Sequence, residues 1–230
     1  MNKRRIILDG TDNTRDLGGY PIGKNGMTQY GVFLRSAVPT GLSEEDCRLL
    51  RDMNITTVVD LRSDAEVDRT ACYFDGREGF AYHHLEITGS GHMRGGQESI
   101  PEAYMSMLQC DAMPKIFRVF SAAPGGCLFH CSAGKDRTGI TAAVLLMLAG
   151  VDDLDIIADY VLTYPYLVRL LEMISPDDPD FPAYIMRSDP EYIRGFLKLF
   201  HEKYGDAQTY LTDIGLTEEE ITRLKAKLTD

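Results

Sequence analysis

The chain has 230 residues, an ordinary apolar share of 44% and a formal net charge of -11. That suits one large α/β domain with an ample core. So acidic a chain is unsuited to general binding of nucleic acid or an anionic membrane, because like charges repel.

No apolar run approaches the length of a membrane span, about 20 residues. Lys3, Arg4 and Arg5 precede only Ile6, Ile7 and Leu8, too short a run for a signal-peptide core. A cytoplasmic location is expected, with export by a signal-less route left open. The five cysteines, Cys47, Cys72, Cys110, Cys127 and Cys131, are odd in number and show no Cys-x-x-Cys spacing. Reduced thiols, no zinc site and no cofactor are expected.

Along the chain, short β-type runs alternate with helical stretches. Ile6 to Leu8 reads as an edge segment. Val32-Phe33-Leu34 ends at Arg35-Ser36. Residues 43–53 open with Ser-Glu-Glu-Asp, a capping-box start to a helix. Thr56 to Val59 reads as a strand ending at Asp60-Leu61-Arg62. Residues 82–87 read as a third strand, with His83 and His84 facing opposite ways. Residues 101–108 and 114–120 read as helices, and Cys127 to His130 as a fourth strand. Residues 140–149 are strongly apolar and stop at Gly150, the pattern of a buried helix with a glycine end. A helix at 154–163 follows.

Five prolines then interrupt residues 164–190, breaking helix into short pieces. This apolar insertion reads either as a lid over a site or as a subdomain that completes the core. The tail is helical over 190–204, with a further short turn, and Thr217-Glu-Glu-Glu220 opens the last helix with a second capping box. The expectation is an α/β fold, with a mostly parallel sheet of four to five strands flanked by helices. It forms a single domain over 1–230 with a helical C-terminus.

The chemistry concentrates at 130–139, His-Cys-Ser-Ala-Gly-Lys-Asp-Arg-Thr-Gly. A strand, a loop of small or polar residues and a helix start aim successive backbone N–H groups at one point, with positive potential from the helix end. Such a loop suits a phosphate dianion. A thiol at its base, Cys131, is favoured as the nucleophilic thiolate. Arg137, six residues on, offers a planar fork for two phosphate oxygens. Ser132, Ala133, Gly134, Lys135 and Asp136 complete the phosphate-binding loop. A bare Cys-x5-Arg is a weak signal. The strand before it, the helix after it, His130 and Thr138-Gly139 make it strong.

This segment resembles the signature loop of tyrosine and dual-specificity phosphatases, in particular a bacterial group of tyrosine and phosphoinositide phosphatases with Lys-Asp inside the loop. Asn13-Thr14-Arg15-Asp16-Leu17-Gly18-Gly19, Leu34-Arg35-Ser36 and Val58-Val59-Asp60-Leu61-Arg62-Ser63 are similar to the same group, so the resemblance spans nearly the whole chain. It implies a metal-free, two-step reaction through a phosphocysteine on Cys131, with inorganic phosphate as product. Loop amides and Arg137 would stabilise the equatorial oxygens. Thr138 would hydrogen-bond near the sulfur, and His130 would support the loop from behind.

Many relatives carry their general acid on a loop after the third strand. Here that stretch, 87–92, holds no Asp. Two carboxylates remain. Asp136, in the loop, is expected to be the acid, and Asp60 to position the loop or Arg137. Asp136 also suits a purely electrostatic place at a helix N-terminus. Lys135 reads either as a second cation for substrates with more than one phosphate or as a solvated lysine. The Arg15-Asp16 and Arg35-Ser36 motifs read as internal scaffolding.

The expected function is that of a protein tyrosine phosphatase acting on phosphotyrosine-containing protein. The alternatives are a phosphoinositide phosphatase, a silent phosphate-binding module and a thiol-redox protein. Cys127 stands too far along its strand to bridge to Cys131. The sequence does not place Cys72.

Overall fold

The computed structural model describes residues 3–89, 95–167 and 183–229. The fold is built on a five-stranded sheet. Its strands are β1 (Arg15–Asp16), β4 (Phe33–Ser36), β7 (Gly126–His130), β5 (Ile55–Asp60) and β6 (Ala81–His84), in that spatial order. β1 runs antiparallel to β4, and every other pairing is parallel. A separate hairpin joins β2 (Pro21–Ile22) to β3 (Gly26–Met27). Ile6 joins the edge as expected, donating its N–H to Thr14.

β7 is central and wholly buried, which is why it reads as a continuous apolar run rather than an alternating one. Its residues still alternate between two cores. Cys127 and Phe129 face the larger, and Leu128 the smaller.

The smaller core packs under α1 (Glu44–Asp52), which opens with the capping box of Ser43 and Asp46. The larger core lies among α3 (Ile100–Met107), α4 (Met113–Ala122), α5 (Asp136–Ala149) and α6 (Asp153–Val161). It continues through α7 (Pro190–Tyr204), α8 (Ala207–Asp213) and α9 (Glu218–Thr229). α5 is buried on almost every side, as its apolar sequence requires. It ends at Gly150 in the left-handed conformation, φ 86°, where L side chains are strained. Thr217 and Glu220 form the second capping box at the start of α9.

One helix and three short strands escape the sequence reading: α2 (Asp64–Arg69), β1, β2 and β3. β6 is shorter than expected and stops at His84. The central part of the proline-rich insertion, residues 168–182, and residues 90–92 of the 87–92 loop lie outside the described residues. No described helix is long and apolar enough to cross a membrane.

The strand register decides where chemistry can occur. Ser36, His130, Asp60 and His84 end four adjacent strands in one row. Loops leaving the carboxyl ends of parallel strands form the natural ligand crevice of such sheets, and residues 131–137 leave from the middle of that row.

Candidate active site

The loop from Cys131 to Lys135 connects β7 to α5, and its shape is imposed from outside. Val38 donates its N–H to the Ser132 carbonyl at 3.1 Å. The Asn13 amide donates to the carbonyls of Ala133 and Gly134 at 3.0 and 3.1 Å. Arg35 donates to the Gly134 carbonyl at 2.7 Å and to that of Lys135 at 3.4 Å. A trans peptide points its N–H opposite to its C=O. Four consecutive carbonyls held outward therefore turn the N–H groups of Ala133, Gly134, Lys135 and Asp136 inward. Inward N–H groups at the N-terminus of α5 are an arrangement suited to an anion.

Two backbone conformations make the loop possible. Gly134 has φ 67°, and a Cβ there would lie 2.3 Å from the Ser36 carbonyl oxygen. Asn13 has φ 61°, the left-handed region that Asn tolerates better than most residues.

The scaffold residues are themselves tied to a buried hub. Asp159 of α6 accepts from Arg15 at 2.8 Å and from Arg35 at 2.5 Å, and all three side chains are enclosed. Tyr20 donates to the same carboxylate at 2.9 Å. Burial works against the Asp159 charge, yet the two arginines win and hold its carboxyl at about 2. Arg15, desolvated and beside Arg35, is lowered to about 10. Asp16 holds the turn after β1 by accepting from the N–H groups of Gly18 and Gly31 at 2.8 and 2.7 Å. The Arg-Asp and Arg-Ser motifs are thus scaffolding, as read from the sequence.

Arg137, the fork of the loop, meets Glu66 of α2. Nη1 and Nη2 donate to the two carboxylate oxygens at 2.6 and 2.8 Å. Ser132 donates to the same carboxylate at 2.5 Å, and so does the N–H of Ser63 at 2.9 Å. Burial alone would raise the Glu66 carboxyl. The bonds from Arg137 and Ser132 overcome it and hold the group well below the usual carboxylate range. The fork's end is thereby occupied, and Nε with the remaining Nη2 proton forms a second parallel pair of donors. Sequence reasoning missed Glu66. Its signal was present only as the third residue of a helix capped by Ser63.

Asp60 is fully enclosed at the end of β5. Arg62 binds both of its oxygens, at 2.6 Å to Oδ2, and Tyr82 donates at 2.9 Å. These bonds outweigh burial and lower its carboxyl, so it stays an acceptor. The expected link from Asp60 to Arg137 is replaced by the Glu66 clamp, because Arg62, two residues on, claims the carboxylate first.

His130 sits behind the loop. Nδ1 lies 3.3 Å from the Cys131 carbonyl and Nε2 3.4 Å from the Cys72 sulfur. Burial lowers the ring to about 4 against the pull of Asp60, so it is neutral. Nδ1 then carries the proton toward the carbonyl, and Nε2 accepts from the Cys72 thiol. Burial pushes that thiol up to about 12. Asp60, Cys72 and His130 cluster closely enough to resemble ligands, but each is committed to these partners. All five cysteines are free.

Cys131 is buried at the base of the loop, and Thr138 is enclosed in the first turn of α5, its hydroxyl without a hydrogen-bond partner among the described residues. Lys135 is neither solvated nor free. Its ammonium donates to the carbonyl of Ile185 and, at 2.9 Å, to that of Arg187, and lies 3.3 Å from Asp136. Asp136 keeps a partly exposed carboxylate, one oxygen of which accepts from Tyr104.

The chain matches the model of the "Tyrosine phosphatase family" over residues 6–230. It is 31% identical to a tyrosine-protein phosphatase of Nostoc commune, over 86% of this chain and 74% of the relative. It is 27% identical to the triple specificity protein phosphatase PtpB of Mycobacterium tuberculosis, over 86% of this chain and 91% of the relative. A crystal structure of TpbA from P. aeruginosa aligns with a TM-score of 0.37 and 17% identity, over 86% of this chain and 97% of that one. By family match and identity, then, this chain belongs to the tyrosine phosphatase family.

Proposed function

We propose that the chain hydrolyses phosphotyrosine through a phosphocysteine on Cys131, without a metal. The observation that carries this reading is the loop itself. Four carbonyls are tied outward, leaving inward N–H groups, and an arginine six residues after the cysteine has its fork oriented by Glu66. In the first step the Cys131 sulfur attacks phosphorus, the P–O bond breaks, and the leaving phenolate takes a proton from Asp136. In the second, Asp136 as carboxylate takes a proton from water, whose oxygen attacks phosphorus. The S–P bond then breaks, and inorganic phosphate and the thiolate are released. Loop amides and Arg137 hold the charge on the equatorial oxygens in both steps. Thr138, whose buried hydroxyl has no other partner among the described residues, donates to the sulfur as it leaves. His130 and Asp60 hold the loop's base.

Two of the three donors of Lys135 go to main-chain carbonyls, so a single phosphate on an aryl group is the substrate this loop suits first. The relative named a triple specificity phosphatase supports testing more than one substrate class, and phosphoserine, phosphothreonine and phosphoinositides are tested beside it. The test is hydrolysis of p-nitrophenyl phosphate in EDTA by wild type and Cys131→Ser, followed by phosphopeptides and phosphoinositides. Wild-type activity abolished by the substitution is expected. An inactive wild type, or activity that survives the substitution, overturns the reading.

A further inference from the structure

Tyr104 and Tyr160 come from separate helices and meet beside the loop. Tyr104, on α3, donates its hydroxyl proton to Oδ1 of Asp136. Its oxygen lies 2.7 Å from the Tyr160 hydroxyl of α6. A phenol has one proton to give. Tyr104 gives its proton to Asp136, so Tyr160 must donate to Tyr104. The result is a directed chain, Tyr160 to Tyr104 to Asp136.

Both phenols are fully buried, and both are held in place. The Tyr104 ring packs edge-on against Tyr160 and Phe196. The Tyr160 ring packs against Gly139, where a Cβ would lie 3.2 Å away. Burial, and then the neighbouring Asp136 charge, raise Tyr104 well above its ordinary range, so it remains a donor throughout the working pH range. The Lys135 ammonium, 3.3 Å from Oδ1, adds a second partner, positively charged, on the same oxygen. Among the described residues no hydrogen bond reaches Oδ2.

We infer that Tyr104, backed by Tyr160, is a positioning residue for the reaction: it fixes Oδ1 of Asp136 so that Oδ2 carries the proton that the leaving group receives. The inference rests on the proposal that Asp136 is the general acid. The asymmetry follows from geometry. A proton on Oδ1 would face a phenol already donating and an ammonium. A proton on Oδ2 faces the open side of the carboxyl. When Asp136 becomes a carboxylate in the first step, the charge left on it is met by the two donors at Oδ1. The same bonds then aim Oδ2 at the water of the second step.

The experiment measures kcat/KM over a series of aryl phosphates, from p-nitrophenyl phosphate to phenyl phosphate, for wild type, Asp136→Asn, Tyr104→Phe, Tyr160→Phe and the double variant Tyr104→Phe/Asp136→Asn. Tyr104→Phe keeps the ring and removes one bond to a charged group, for which about a ten- to hundredfold loss is expected on the poorest leaving group. The best leaving group needs little protonation, so it should be scarcely affected. Tyr160→Phe should show the same pattern, smaller, and supplies the readout if Tyr104→Phe does not fold. The double variant should lose no more than Asp136→Asn alone, because Tyr104 acts through Asp136. A Tyr104→Phe loss that is uniform across the series, or that adds to that of Asp136→Asn, overturns the inference while leaving the acid in place. An Asp136→Asn variant without leaving-group dependence overturns the acid itself.

Discussion

Glu66→Gln removes one charge from the pair that orients Arg137 and leaves the side chain's size nearly unchanged. The amide retains one acceptor, but its NH₂ faces an arginine donor, so one of the bonds at 2.6 and 2.8 Å is replaced by opposed donors. The two side chains are 12% and 26% exposed, so the pair is partly screened. A hydrogen bond to a charged group is worth about 1.5–3 kcal/mol. Taking the lower part of that range, about 1.5–2.5 kcal/mol, gives a loss of about 13- to 70-fold in kcat/KM for p-nitrophenyl phosphate. The inhibition constant of inorganic phosphate should rise in parallel, since the fork meets product and transition state alike. Stability carries its own signature. The carboxyl of Glu66 lies below its ordinary value of 4.5 in the folded chain, so it contributes stability that is fully present above that pH. This contribution fades as pH falls toward the lowered value. Denaturation of wild type and variant from neutral pH to below pH 4.5 should therefore show a gap that closes on acidification. Unchanged kcat/KM and phosphate inhibition, or a gap that widens in acid, would refute the assignment of Glu66 as the residue that orients Arg137.

Asn13→Ala removes the donors to the Ala133 and Gly134 carbonyls and places alanine at φ 61°. It should cost about 1–3 kcal/mol of stability, together with weaker phosphate binding, read by thermal unfolding with and without phosphate. Gly134→Ala forces a Cβ to 2.3 Å from the Ser36 carbonyl oxygen at φ 67°. Either the loop shifts and activity falls at least tenfold, or the chain does not fold; an active, stable variant would contradict the loop geometry. Asp159→Ala leaves Arg15 and Arg35 buried without their counter-charge, which should cost about 3–5 kcal/mol in urea denaturation.

How much was legible in the sequence follows from how local each feature is. The loop from His130 to Thr138 was readable because its strand, turn and helix start are contiguous, and the chemistry of nest and fork depends on that order. The parallel sheet was readable because β7 is buried on both faces and so carries an apolar run, and because β5 is rich in β-branched residues, Ile55 to Val59. The two-residue strands β1, β2 and β3 carry no period to detect. Residues reached only through the fold stayed hidden. Glu66 lies 71 residues before the arginine it clamps, and its sequence context is that of a helix cap. Tyr104 lies 32 residues before Asp136, on a stretch read only as a helix. Lys135 was weighed as a substrate cation or a solvated side chain. The segment at 185–187 folds back to take its ammonium, and no local pattern announces that. Asp60 was placed correctly at a strand end on the crevice side. Its neighbour Arg62 claims the carboxylate, so the fate of its expected link to Arg137 was not legible.

The central claim is that Cys131 carries the phosphoryl group between two half-reactions. It is tested most directly by mixing the enzyme with a fast aryl phosphate, quenching in acid within one turnover, and sequencing the peptides by mass spectrometry. The account predicts the mass of one phosphoryl group on Cys131, absent from Cys131→Ser and more abundant in Asp136→Asn, where activation of the second-step water is impaired. Active enzyme with no phosphoryl group on Cys131 at any quench time, or with the group on another residue, would contradict it.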